Sequence, residues 1–285
     1  MTAIFVKTDE PSAPAANTPY VEKDWAIIRG VTLGAFDWSN SETYALTGAI
    51  PGTATFGNLV AGGSNGTISP ANAGATFPAV SGGLLNAQGA TNAGGLPVVR
   101  LPSSFTFGAG VTRSLLTFWA KLPATGYLAS NLPGLIGSGT GANASLQYTC
   151  LLIVNGSGAA TQLTYRVRGT SGNIDASITG AALAALLDGN LHQIGLGLVI
   201  ASGTGTVTLF VDGVAVATGS GSMSSYNVIG PASLFIGSGG NQLTSSANTN
   251  ALLGRPFAHD LTSRPDISFE DILARDAESA EGYLS

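Results

Sequence analysis

Charge is the scarcest property of this 285-residue chain, with 11 basic and 16 acidic side chains making up 9% of it, against about a quarter in an ordinary soluble domain. The bases between residues 43 and 174 (Arg100, Arg113, Lys121, Arg166, Arg168) are too dispersed for the basic stripe that holds a phosphate backbone, which excludes nucleic acid as a partner. No acid occurs between Glu42 and Asp175. Glycosidases need two carboxylates flanking one bond, so residues 43–174 offer no such pair. The single cysteine, Cys150, lies in the apolar run Tyr148–Val154; it excludes an internal disulfide and reads as a small core residue. Two histidines and one cysteine, widely separated, cannot supply a zinc site. No apolar run reaches the roughly 18 residues that would cross a bilayer. The N-terminus also lacks the basic region, long apolar stretch and cleavage site of a secretory signal, so the chain is expected to fold in the cytoplasm where it is made.

What is present is apolar and small: 44% hydrophobic residues, 40 glycines, 13 prolines and a net charge of −5. Disorder requires low hydrophobicity and high net charge, so this chain folds. Its surface must be covered mainly by Ser, Thr, Asn and Gly, which suits permanent assembly better than life as a free monomer. Residues 1–23 read as an extended arm, with the β-prone piece Ile4-Phe5-Val6 on a proline-rich tether that could add to a sheet edge of a neighbouring protein. Residues 24–94 read as a Gly-rich β and loop segment leading into a main module at 95–285.

Beyond residue 95, strands are predicted at Val98–Leu101, Leu115–Lys121, Gln147–Val154, Leu163–Arg168, Leu191–Ile200, Val207–Val211, Val214–Thr218 and Ser233–Ile236. Leu163, Tyr165 and Val167 alternate with two arginines, as on a half-exposed antiparallel strand. Asp212-Gly213 fits a two-residue type I′ turn, which would place Val211 opposite Val214 and Leu209 opposite Val216 on one apolar face. A C-terminal helix is predicted near 268–280, capped by Ser268 and Asp271 and stapled by Ile267 and Ile272. A shorter helical piece is predicted at Ala181–Leu187. Gly62-Gly63-Ser64-Asn65-Gly66 matches the nucleophile-elbow pattern but lacks its strand and helix flanks, so it reads as a surface loop.

Asp188-Gly189-Asn190-Leu191-His192-Gln193-Ile194, then Thr206–Val214 with its Val211-Asp212-Gly213, then Leu234-Phe235-Ile236-Gly237, resembles the laminin G-like and concanavalin A-like family. Leu115–Leu122 and Gly134–Gly139 resemble the family's earlier strands, with Leu191 where the family has tryptophan. The resemblance covers about residues 95–275. It implies an all-β antiparallel jelly-roll sandwich, here with an N-terminal arm and a short C-terminal helix. A calcium ion in such a loop would have to use Asn173, Asp175 and Asp188; no other cofactor is expected. Tyr127 and Tyr226, placed in loops, are the candidates for stacking on a glycan or packing in an interface. His192 and His259 read as satisfied structural histidines.

A charge-poor, signal-less chain with an arm and such a module resembles bacteriophage virion proteins of the tail or capsid surface. The function expected from that resemblance is a non-enzymatic virion structural component whose partners are other virion proteins and copies of itself. The alternative is a host-attachment module binding a surface glycan. A polysaccharide-cleaving enzyme would lack its carboxylates.

Overall fold

The computed structural model describes residues 24, 26–45, 48–49, 54–68, 79–86, 99–127, 132, 134–139, 146–226, 234–236 and 251–280. Strands β1 to β7 are Thr32–Ala35, Gly48–Ala49, Thr55–Phe56, Gly66–Ile68, Ala79–Ser81, Leu84–Asn86 and Val99–Leu101. Strands β8 to β12 are Arg113–Lys121, Gly134–Gly139, Leu146–Val154, Ala160–Arg168 and Asn173–Ile178; helix α1, Gly180–Leu186, follows. Then come β13 (Leu191–Ala201), β14 (Thr204–Val211), β15 (Val214–Ser222), β16 (Leu234–Ile236), β17 (Leu252–Asp260) and helix α2 (Phe269–Ala280).

The strands form two antiparallel sheets. One runs β15-β14-β13-β8-β17-β6-β5-β2, with β1 also on β17; the other runs β12-β11-β10-β9-β16-β7-β4-β3. Residues 24–94 therefore do more than lead into the sandwich, since β1, β2, β5 and β6 complete one sheet and β3 and β4 the other. The predicted strands are all present. Alternation drives the packing: Leu163, Tyr165 and Val167 of β11 and Tyr148, Cys150 and Leu152 of β10 face Leu116, Phe118, Ile194, Leu196 and Leu209 of the opposite sheet in one core. Cys150 is fully buried there, and burial pushes its thiol well up.

The outer face of the nine-stranded sheet is also covered. Phe269, Ile272 and Leu273 of α2 pack with Leu115, Phe210, Leu261, Ile28 and Val31. Glycine permits this approach: a Cβ at Gly195 would lie 2.9 Å from Leu273, and one at Gly197 would lie 2.8 Å from Phe269. The predicted capping box is formed, with the Asp271 amide donating to Ser268 Oγ (3.0 Å) and the Ser268 amide to Asp271 Oδ2 (3.1 Å). Ile267 and Ile272 join the same apolar cluster.

The Asp212-Gly213 turn has positive φ at both residues, 50° and 76°, as type I′ requires. A second turn of the same signs, Ser202-Gly203 (50° and 77°), joins β13 to β14. The predicted register past the first turn holds for only one pair. Val211 pairs with Val214, but a bulge between Leu209 and Phe210 puts Leu209 opposite Ala217. A one-residue slip moves side chains to the other face, and β15 is an edge strand with a neighbour on one side only. Val216, displaced by the slip, is 38% exposed, and Val214, in its expected pairing at the turn end of the edge, is 64% exposed, so the two do not form the expected apolar face.

Along the C-terminal half of the same strand, the edge of this sheet closes on the edge of the other through glycine. A Cβ at Gly219 of β15 would fall 2.0 Å from the carbonyl oxygen of Asp175 in β12, and one at Gly221 would fall 2.9 Å from Ile174. The Thr170 amide donates to the Ser222 carbonyl across the gap (2.9 Å).

Candidate functional site

The acidic side chains show where chemistry could be built. The largest assembly was not legible in advance: Arg255, fully buried, is held by Asp24, Asp37 and Asp276. Arg255 sits at φ +46° in a bulge of β17 between Gly254 and Phe257, a conformation that costs energy and persists only when its surroundings fix it. Its Nη1 donates to Asp24 Oδ2 (3.0 Å) and to Asp37 Oδ2, and its Nη2 and Nε donate to Asp276 Oδ1 (3.1 and 3.3 Å). The remaining acceptors are satisfied as well. Trp119 Nε1 and Gln193 Nε2 each donate to Asp276 Oδ2 at 2.8 Å, Ser279 Oγ and the Ala26 amide donate to Asp24 Oδ1, and Ser39 donates twice to Asp37 Oδ1. Burial pushes the Asp276 carboxyl up against the opposing pull of Arg255 and these donors. The node joins Asp24 ahead of β1, Asp37 just after it, the bulge of β17 and the C-terminal half of α2. The one sequence signal for it was Pro256, which in an apolar run marks a bulge.

A second polar cluster lies at the corner of β13 and the Asp212-Gly213 turn. His192 Nδ1 lies 2.7 Å from Asp212 Oδ2, and Nε2 lies 3.1 Å from Asp188 Oδ1. Carboxylates only accept, so the arrangement favours the ring with a proton on each nitrogen, in which both donate. Partial burial works against that charge, but the hydrogen bonds to Asp212 and Asp188 outweigh it and raise the imidazole above its ordinary 6.5. Asp188 is drawn from 3.8 to about 2 by hydrogen bonds from the Asn190 amide, His192 and the Asn190 side chain. His192 thus has the satisfied structural role expected of it.

The sign of the pH dependence follows. The raised His192 contributes stability fully below pH 6.5, and that contribution fades as pH rises through its folded value; the lowered Asp188 contributes above 3.8 and fades toward about 2. His192→Gln should therefore destabilise the fold most between about pH 4 and 6 and least above pH 8. Denaturation midpoints of both proteins across this range test it; a gap that widens with rising pH would show that the ring is neutral.

His259 is buried without charge. Its Nδ1 lies 3.1 Å from Thr32 Oγ1, while Nε2 has no partner. Desolvation, then the charge of Arg275, push it down to about 3.

The other candidates are placed as follows. Tyr127 and Tyr226, expected in loops with exposed rings, are core residues at 5% and 2% exposure. Tyr226 stacks on Phe107 (centroids 5.1 Å) and shares a 2.5 Å hydrogen bond with Ser114 Oγ. Neither ring offers a face to a sugar. The cause is hydrophobic, since a tyrosine ring buries a large apolar body and loop position in the sequence does not report depth; the Tyr226 hydroxyl is met by Ser114, whereas that of Tyr127 is buried with no hydrogen-bond partner. Asn173 and Asp175 lie on β12, paired with Arg168 (3.3 Å) and Arg166 (2.8 and 2.7 Å), while Asp188 is committed to His192. Each of the three calcium candidates is thus engaged by a side chain of the protein, and among the described residues no group of three or more His, Cys, Asp or Glu is arranged for a metal ion. Ser64 lies in the connection from β3 to β4, with Asn58 Nδ2 donating to its carbonyl (3.1 Å); no helix follows it, as the loop reading requires. Ile4, Phe5 and Val6 lie outside the described residues.

One surface is polar by register. The pairs Thr55–Thr67 and Thr67–Arg100 run across β3, β4 and β7 of the eight-stranded sheet, and the row then meets Phe235 of β16 before Gly137 and the buried Thr149. Thr55, Thr67 and Arg100 are exposed there.

No family model and no curated protein matches the sequence. Solved structures do resemble the fold. Trypanosoma rangeli sialidase in complex with 2,3-difluorosialic acid aligns with a TM-score of 0.52 at 12% identity over 97% of this chain and 36% of that one. The same sialidase with sialic acid gives 0.51 at 11% identity, over 91% and 34%. Domain 4 of AbnA, a GH43 extracellular arabinanase from Geobacillus stearothermophilus, with arabinotriose, gives 0.49 at 12% identity, over 86% and 97%. This chain spans about a third of the sialidase length, and the likeness is one of β-sandwich architecture.

Proposed function

We propose that this chain is a non-catalytic structural module of a bacteriophage particle, built on a laminin G-like or concanavalin A-like sandwich. The observation that carries the reading is the commitment of eight of the twelve carboxylates among the described residues. Asp24, Asp37 and Asp276 hold Arg255, Asp175 holds Arg166, Asp188 and Asp212 hold His192, Asp266 holds Arg264, and Asp271 caps α2. A glycoside hydrolase needs two carboxyl groups about 5–10 Å apart across an open bond, and these groups face their own partners. The low surface charge supports lasting contact with neighbours, since few ions must be desolvated when subunits meet.

A glycan-binding reading has one observation of its own, the polar row of Thr55, Thr67 and Arg100, whose hydroxyl and guanidinium donors suit sugar hydroxyls. The test is to incubate pure protein with host cell-surface polysaccharide and to probe particles with antibody against the chain. Presence in particles with no cleavage and no glycan retention supports the structural reading. Cleavage overturns it, and retention lost on Arg100→Ala transfers the function to the second reading.

A further inference from the structure

We propose that the N-terminal half of β15 is the acceptor for the arm strand Ile4-Phe5-Val6 of a second copy of this chain, added antiparallel to the nine-stranded sheet. This rests on the structural reading above and names the contact through which copies would join.

β15 is the edge of its sheet, and its two halves differ. From Gly219 onward it closes against β12. Val214, Ala215 and Val216 are all exposed. Among the described residues, Leu132, Val214 and Val216 are the exposed large hydrophobics, and the two valines share this edge. An edge strand presents unpaired backbone donors and acceptors, and natural proteins guard such edges with lysine, proline or a covering element. Val214–Val216 carries no lysine and no proline. The bulge at Leu209/Phe210 takes Val216 out of register with Leu209.

Charge sets the direction of the incoming strand. The acceptor begins next to Asp212 and Asp188, whose side chains are 51% and 39% exposed. Lys7 follows the arm strand directly and is the first charged side chain in the sequence. Antiparallel addition with Val6 opposite Val214 and Ile4 opposite Val216 brings Lys7 alongside Gly213 and Asp212; parallel addition carries it away from them. Backbone hydrogen bonds would supply affinity and the side-chain alternation would supply specificity. The tether suffices: residues 7–23 span up to roughly 55 Å when extended, starting from Asp24, which the Arg255 node holds in place.

The experiment uses two full-fold variants and their mixture. Val216→Lys keeps the arm and blocks the edge; a chain beginning at Asp24 keeps the edge and lacks the arm. Light scattering should give an oligomer for the full chain, monomers for each variant alone, and a 1:1 heterodimer when the two are mixed, weakened at least tenfold by adding Lys7→Glu to the Val216→Lys chain. Circular dichroism confirms that both variants are folded. Failure of the mixture to associate, or an undiminished oligomer of Val216→Lys, overturns the proposal. In the latter case the structural reading stands with a different acceptor, whereas absence of the full chain from particles fails that reading independently of this contact.

Discussion

Replacing Arg255 with alanine is expected to cost the fold about 3–5 kcal/mol, the range for breaking a buried ion pair by removing one partner. The reason is the node's imbalance. One guanidinium faces Asp24, Asp37 and Asp276, all at or near zero exposure, so its removal leaves three carboxyl groups in the interior with no cation. Arg255→Lys should recover only part of the loss. An ammonium cannot reproduce the fork that reaches Asp24 and Asp37 through Nη1 and Asp276 through Nη2 and Nε. Asp37→Asn should cost far less than either, because two carboxylates still balance the arginine. Urea denaturation followed by circular dichroism checks the ranking, and an Arg255→Ala midpoint close to that of the unmodified protein would mean that the node does not form. The node also ties Asp24 to the last turn of α2 through Ser279, so proteolysis at the two ends of the sandwich should accelerate together in Arg255→Ala.

Gly219→Val should be the most damaging of the glycine substitutions at the closed rim, at about 2–3 kcal/mol. Its first side-chain atom would meet the backbone carbonyl of Asp175 at 2.0 Å, and a backbone oxygen cannot swing aside as a side-chain tip can. Relief requires β15 and β12 to part, which would also break the Thr170–Ser222 hydrogen bond. Gly172→Ala is the matched control, since nothing lies within 4 Å of its Cβ position. Hydrogen exchange at Thr170 separates local opening from general loosening. Equal thermal midpoints for the two variants would show that the rim is not closed as described.

Much of the sandwich could be read from the chain because its signals are local. Alternation marked Leu163, Tyr165 and Val167 as one buried face. Asp212-Gly213 demanded positive φ and has it at both residues, and Ser268 with Asp271 spelled the start of α2. Each rests on residues within a few positions of one another, where period and backbone preference act without help from the rest of the molecule.

What only the tertiary structure decided involves distant partners or depth. Asp24, Arg255 and Asp276 meet across separations of 231 and 21 residues, and no local pattern announces that three acids will enclose one arginine. Tyr127 and Tyr226 sit in turn-like sequence yet lie in the core, because burial depends on what folds over a residue rather than on its neighbours in the chain. The bulge at Leu209/Phe210 likewise took Val216 out of register with Leu209, a slip that alternation alone cannot reveal because both strands still alternate.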